Sequence, residues 1–253
     1  MRVWVGTWAA VMAALEQRTP AWLEARKGKL TASNIGAAVG LCSWTSRIEA
    51  YRRMLGQSEF TGNEATAYGT ETESTAIDAY ETHILGENRA GTVNVESTGF
   101  HTHPTQPFIG GSPDGLVGCD GMIEVKCPFW RRRDHPRGWR LHSSIPPSYY
   151  LQMNTLLEVC DREWCDFVSY CEEGMYVARV KRDRELFSLL FPCYYSFWEA
   201  GKLGLEKPPK SLKTSAEVKE LVDASISKSV QHVRTIEFDP PGCAALAKAA
   251  KMF

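Results

Sequence analysis

At 253 residues the chain is long enough to bury a substantial core within one large domain. Hydrophobic residues at 43% and charged residues at 23% are the proportions of a soluble globular protein, and no run of about 18 apolar residues marks a membrane helix. The formal net charge of -1 excludes a uniformly basic nucleic-acid binder, so any polyanion surface must be a local patch.

In chain order, residues 3–15 are apolar and Ala-rich, loosely like an export signal, but two Trp and a single Arg fit a packed or surface helix better. Helical patterns follow at residues 21–26, at 34–39 behind an N-cap at Ser33, at 46–55, and from about 70 to 85. Residues 92–127 change to short β-branched and aromatic segments broken by Gly, Pro and Asp, the chemistry of strands and antiparallel hairpins. Helical spacing returns at 147–160; 164–171 and 175–181 read as strands joined by Glu172-Glu173-Gly174, and 183–204 as a long helix. The stretch 206–210, Glu-Lys-Pro-Pro-Lys, has linker composition. It divides residues 1–205 from a helical C-terminal extension, 206–253, with a helix at 215–229.

The chemistry concentrates around a turn at Cys119-Asp120-Gly121, flanked by Ser112-Pro113-Asp114-Gly115-Leu116 and Ile123-Glu124-Val125-Lys126-Cys127-Pro128. Glu124 and Lys126 are two apart on a strand and leave the same face. Asp114 joins them only if the loop has odd length. A two-residue Asp120-Gly121 loop turns Asp114 away. A three-residue loop with Gly121 left-handed pairs Gly118 with Met122 and Asp114 with Lys126, and all three share a face. Two hard carboxylates suit a divalent cation such as Mg2+ and leave positions for water and phosphate oxygens, while a lysine beside them orients water and stabilises developing negative charge. A solvent-facing hairpin with an ordinary Glu-Lys pair has the same spacing.

These two segments closely resemble the phage lambda exonuclease and YqaJ-like viral recombinase family of the PD-(D/E)XK nuclease superfamily. The likeness runs over about residues 20–170, through Arg26, Gly28 and Thr31-Ala32-Ser33, then Gly69-Thr70-Glu71-Thr72-Glu73, Tyr149-Tyr150-Leu151-Gln152 and the aromatic strand 164–170. It implies an α/β (α+β) fold with a restriction-endonuclease-like core, a central mixed sheet flanked by helices. It also implies a 5′ to 3′ exonuclease acting on double-stranded DNA ends with two Mg2+ ions, for which Mn2+ can substitute, the alternatives being an endonuclease or a non-catalytic DNA-binding module of the same fold. Homotrimers and a single-strand annealing partner, in DNA recombination or viral genome processing, belong to the same implication; the expected location is intracellular, cytoplasmic or nuclear.

The implied catalytic set is Glu73, Asp114, Glu124, Lys126 and Gln152. Asp114, Glu124, the Val125 backbone carbonyl and Glu73 would hold metal, and Arg26 and Ser33 the 5′ phosphate. Helical spacing independently separates the two acids of the long helix. Glu73 falls on the apolar stripe of Ala76, Ile77, Tyr80 and Ile84, whereas Glu71 lies with Ser74, Thr75, Asp78 and Thr82 on a polar face.

Residues 130–140 carry Arg131, Arg132, Arg133, Arg137 and Arg140 with Trp130 and Trp139 interleaved, the strongest basic patch of the chain. Such a patch neutralises phosphates without reading sequence, and an indole can stack on a base. Arg132 matches a basic DNA-contacting position of the family. The eight cysteines lack zinc spacing, and Cys165 and Cys171, on one strand with Cys160 before it, stand about 20 Å apart, too far for one iron-sulfur cluster. Reduced thiols, no zinc and no cluster are therefore expected.

Overall fold

The computed structural model describes residues 17–58, 62–86, 93–129 and 141–238. The apolar segment 3–15 and the basic stretch with Trp130, Arg131, Arg132, Arg133 and Arg137 lie outside the described residues.

Helix α1, Pro20–Arg26, starts with Pro at its first turn and with the Thr19 hydroxyl accepting the Trp22 N–H. Strand β1, Leu30–Thr31, leads directly into α2, Ala32–Ala38, and then comes α3, Arg47–Met54, capped by Ser46. Helix α4, Glu64–Tyr80, begins earlier than the sequence pattern suggests. Asn63 and Thr66 form a reciprocal capping box that satisfies its first amides. The helix continues into a widened π-helical turn, Glu81–Leu85.

Two sheets follow. Strands β1, β4 (Ile109–Gly111) and β3 (His101–Thr102) form a small sheet, in that spatial order. The main sheet has six strands in the order β2 (Val95–Glu96), β5 (Gly115–Val117), β6 (Gly121–Lys126), β7 (Trp164–Cys171), β8 (Gly174–Lys181) and β9 (Val230–Glu237). Neighbours are antiparallel except β6 and β7, which run parallel, so the sheet is mixed. Parallel neighbours need a crossover. Here it includes α5, Pro147–Val159.

Each face of the sheet has its own core. Met122, Phe167, Ala178 and Val180 join one cluster with α2, α3, α5 and the helices α6, Arg184–Lys202, and α7, Ser215–Ser229. Ile123, Val125, Val168 and Val177 join the other with Ala76 and Tyr80 of α4 and Ile84 of the π-helical turn. The Tyr80 hydroxyl donates to buried Asp166 at 2.7 Å, and Arg179 grips the same carboxylate at 2.8 and 2.9 Å, which fastens α4 to the sheet.

The helical extension expected after residue 206 also contains a strand. Helix α7 matches the expectation, but β9 adds the edge strand of the main sheet, and Val218 and Val222 are fully buried in the larger core. A β-rich segment such as Val230-Gln231-His232-Val233 has too little alternation to announce a strand before its pairing partner is known.

Candidate active site

The β5–β6 hairpin decides whether the two acids meet. Its register pairs Gly115 with Ile123, Leu116 with Met122 and Val117 with Gly121, leaving the three-residue loop Gly118, Cys119 and Asp120. The odd offset is present, but the loop sits one residue earlier than expected. Gly118, at φ +58°, takes the left-handed position assigned to Gly121. Gly121 is needed elsewhere: it opens β6 beneath the Trp164 indole, where a Cβ would lie 2.0 Å from a ring carbon.

With this register Asp114 falls beside Glu124 and not opposite Lys126, and the three side chains still share one face. The Asp114 N–H donates to the Ile123 carbonyl at 3.2 Å, and its Oδ2 accepts the Val125 N–H at 2.6 Å. Glu124, 1% exposed, uses its two oxygens unequally. Oε1 accepts from Lys126 Nζ and from Gln152 Nε2, the latter at 2.5 Å, while buried Oε2 has no hydrogen-bond partner. Gln152 reaches it from α5, one turn after Tyr149, whose ring lies 5.1 Å from Lys126 Nζ.

The electrostatics follow from burial. Asp114 is held well above the usual carboxylate range, first by desolvation and then by the neighbouring Glu124 charge. Burial also raises Glu124, against the opposing pull of Lys126. Burial works against the Lys126 ammonium, but Glu124 and Asp114 outweigh it and raise the lysine above its ordinary value. Two carboxylates thus share one cation, and one buried oxygen is left over.

Glu73 lies at the margin of this centre on α4, close enough for its charge to act on both Asp114 and Glu124. Its Oε2 accepts from Arg18 Nη2 at 2.9 Å. Ala76, Tyr80 and Ile84 of its stripe are buried, and Glu71 is exposed, the division the helical spacing anticipates.

Arg26 and Ser33 line the same cavity as Asp114, Glu124, Lys126 and Gln152, a space of about 190 Å³. Arg26 stacks on the Trp22 ring at 4.1 Å, and burial pushes its guanidinium down to about 10. Trp22 is itself held by its Nε1–H donating to Ser112 Oγ at 2.8 Å. Ser33 is not the helix cap. Thr31, still paired with Gly110 in the small sheet, has the extended backbone a cap requires, so α2 starts at Ala32 and Ser33 falls in its first turn, exposed. A larger cleft of about 440 Å³, lined by Lys27, Lys29, Phe108, Trp198 and Lys202 among others, has no carboxylate in its wall and lacks this chemistry.

Several contacts of the site go beyond the expected residues. The i, i+4 spacing of Trp22 and Arg26 on α1 was a signal for their stacking. Tyr149 beside Lys126, Gln17 donating to the Pro113 carbonyl at 3.0 Å, and Arg18 on Glu73 depend on long-range approach and left no local sign. Cys165 and Cys171 occupy opposite ends of β7, and both are free thiols. Among the described residues, no three His, Cys, Asp or Glu side chains stand together as a metal cluster, and Asp114 and Glu124 are a pair.

The YqaJ-like viral recombinase domain matches residues 21–163. Among curated proteins, none matches the sequence. Among solved structures, the alkaline exonuclease LHK-Exo from Laribacter hongkongensis is similar, at 30% identity and a TM-score of 0.57 over 83% of this chain and 99% of that one. LHK-Exo in complex with dAMP aligns at 28% identity and a TM-score of 0.58 over the same shares. With more than half its length matched by the domain and the acid pair, lysine and glutamine gathered in one cavity, the chain belongs to the YqaJ-like viral recombinase family, with the fold of the alkaline exonucleases.

Proposed function

We propose that this DNA exonuclease is Mg2+-dependent and degrades duplex DNA from its 5′ ends, with Asp114, Glu124, Lys126, Gln152 and Glu73 as its working residues. One observation carries the reading: the unpartnered, buried Oε2 of Glu124 beside the Asp114 carboxylate. A buried carboxylate oxygen without a hydrogen-bond partner is costly unless something binds it. A hard divalent cation held by Asp114, Glu124, the Val125 carbonyl and, after release from Arg18, Glu73 suits that donor set, since Mg2+ takes one or two carboxylates and completes its shell with water and phosphate oxygens.

Bound there, the cation supplies Lewis acidity at the scissile phosphate and at the leaving oxygen. The protein's own groups do the rest. Lys126, kept as an ammonium by its two acids, places positive charge beside the phosphate and orients the attacking water; it is poorly suited to take the proton. Gln152 fixes the rotamer of Glu124 through Oε1 and so leaves Oε2 turned to the cation. Arg26, stacked on Trp22 and without a carboxylate partner among the described residues, offers a guanidinium fork to a terminal phosphate, with the Ser33 hydroxyl in the same cavity. LHK-Exo has been crystallised with dAMP, a mononucleotide of the kind an exonuclease releases.

Contacts of Trp130, Arg131, Arg132, Arg133 and Arg137 with the DNA backbone, homotrimeric assembly and work beside a single-strand annealing protein complete the proposal, on the family resemblance. The test is degradation of end-labelled linear duplex in Mg2+ against EDTA, beside a closed circle of the same sequence. Mononucleotides released from the 5′ end of the linear form alone support the reading. Equal cutting of circular DNA, or release from the 3′ end, removes it.

A further inference from the structure

Trp44 is 59% exposed, an unusual position for an indole, which normally buries most of its area. It is displayed by a fixed backbone and not by a loose one. Ser46 caps α3 through the Glu49 N–H, and Arg47 ties the same turn to the Ala38 carbonyl at 2.8 Å and to the Pro209 carbonyl. The indole's inward neighbour is Tyr149, with ring centroids 5.2 Å apart and planes tilted by 46°. Tyr149 in turn lies 5.1 Å from Lys126 Nζ. It occupies the first turn of α5, the helix that carries Gln152 onto Glu124. Tyr149 therefore links Lys126, at the proposed reaction centre, to the exposed Trp44 through two successive contacts.

The two contacts together reach no farther than about three stacked bases at ~3.4 Å each. DNA whose scissile phosphate sits at Lys126 brings the flanking nucleotides within reach of the indole. Aromatic side chains bind bases without regard to sequence, because every base has a face. The geometry points to Trp44 as the stacking platform for a base flanking the scissile phosphate, a substrate-positioning residue of the exonuclease. This inference rests on the exonuclease reading above and adds a nucleobase contact to it.

Two measurements on the full chain test it. The first is steady-state degradation of linear duplex in Mg2+ by wild type, Trp44→Ala and Trp44→Phe. Loss of one base stack is expected to raise KM about tenfold in Trp44→Ala while kcat holds, with most of the loss recovered in Trp44→Phe. The second is photo-crosslinking of duplex carrying 5-iodouracil at its terminal positions to the Glu124→Gln variant, which is expected to bind DNA without cutting it; the crosslinked peptide is expected to contain Trp44. Unchanged KM in Trp44→Ala together with crosslinks elsewhere overturns the inference. So does a Trp44→Ala protein whose assembly mass falls in light scattering while its KM stays put, which would make Trp44 a subunit contact. Wild type that leaves duplex uncut in Mg2+ removes the exonuclease reading, and this inference with it.

Discussion

Asp114 accepts the backbone N–H of Val125 at 2.6 Å, so the first acid of the centre is tied to the strand that carries the second. The bond lies between Glu124 and Lys126 in sequence and fixes the spacing of all three. Asp114→Asn keeps an oxygen for that N–H but loses the charge, whereas Asp114→Ala loses both and leaves a part-buried donor unmet. Both variants are expected to lose nuclease activity, and Asp114→Ala should also be less stable than Asp114→Asn by about 1–3 kcal/mol. Denaturant titration of the two variants checks the difference, and equal midpoints would show the bond to be dispensable.

Stability should depend on pH in a way that magnesium reverses. The pKa values of Asp114 and Glu124 are raised in the folded state, chiefly by burial, above their ordinary carboxylate values. Folding then binds protons more tightly than the unfolded chain does. The stabilisation from the protonated pair is complete below the ordinary carboxylate range and is lost as pH rises through the raised values. Metal-free protein should therefore lose stability from this pair on going from acid to alkaline pH, and Asp114→Asn should flatten that slope. Added Mg2+ binds the ionised pair, so its gain in melting temperature should grow with pH. Melting curves at several pH values, with EDTA or Mg2+, measure this; a magnesium shift independent of pH would contradict it.

Gln152 and Lys126 converge on one oxygen of Glu124. Removing the amide in Gln152→Ala frees the carboxylate to rotate, so the magnesium dependence of the rate should shift to roughly 10- to 100-fold higher concentration, the usual cost of losing a partner behind a metal ligand. Lys126→Met should instead depress kcat at saturating magnesium, because the ammonium acts on the phosphate and the water. A shift in the same parameter for both variants would erase the division of labour assigned to them.

Much of this centre was legible because it is local. Glu124 and Lys126 share a face by the two-residue period of a strand, and Glu73 shares a stripe with Tyr80 by the period of a helix. Even the dependence of Asp114 on an odd loop was readable. Which glycine turns the loop was not, because Gly121 is reserved by Trp164, a residue of another strand. The cap of α2 was misplaced for a similar reason: Thr31 is held extended by Gly110 of β4, far along the chain. The final strand was missed because a sheet edge is defined by its partner, here β8, more than by its own composition.

Gly121 gives that long-range dependence a direct measure. Gly121→Ala would place its Cβ 2.0 Å from a Trp164 ring carbon, and the indole is also packed by Arg179, whose guanidinium lies 3.6 Å from the ring centroid. With little room to yield, overpacking of this kind should cost about 3 kcal/mol. Gly118→Ala, in open space but at φ +58°, should cost about 1 kcal/mol from backbone strain alone. Chemical denaturation of the two variants separates the cases, and a Gly118 variant more damaged than the Gly121 variant would reverse the account of the turn.

Arg26 is the remaining cation of the cavity, and its setting makes a prediction about DNA ends. Its guanidinium is stacked on Trp22, which is anchored to Ser112, only two residues before Asp114. Burial lowers its pKa to about 10, so the charge is already partly desolvated and gains more from an incoming phosphate than an exposed arginine would. If the terminal phosphate is its ligand, 5′-phosphorylated duplex should be degraded faster than 5′-hydroxyl duplex by wild type, by at least about tenfold for one charge-assisted contact. Arg26→Ala should bring the phosphorylated substrate down to the hydroxyl rate and leave the hydroxyl substrate little changed. Ser33→Ala should do the same more weakly, since a neutral hydroxyl contributes a single hydrogen bond. Trp22→Phe, which keeps an aromatic face but loses the Ser112 bond, should fall between wild type and Arg26→Ala on the phosphorylated substrate alone. Rates that ignore the 5′ phosphate in wild type would remove Arg26 and Ser33 from the site and leave the cavity to its acids, Lys126 and Gln152.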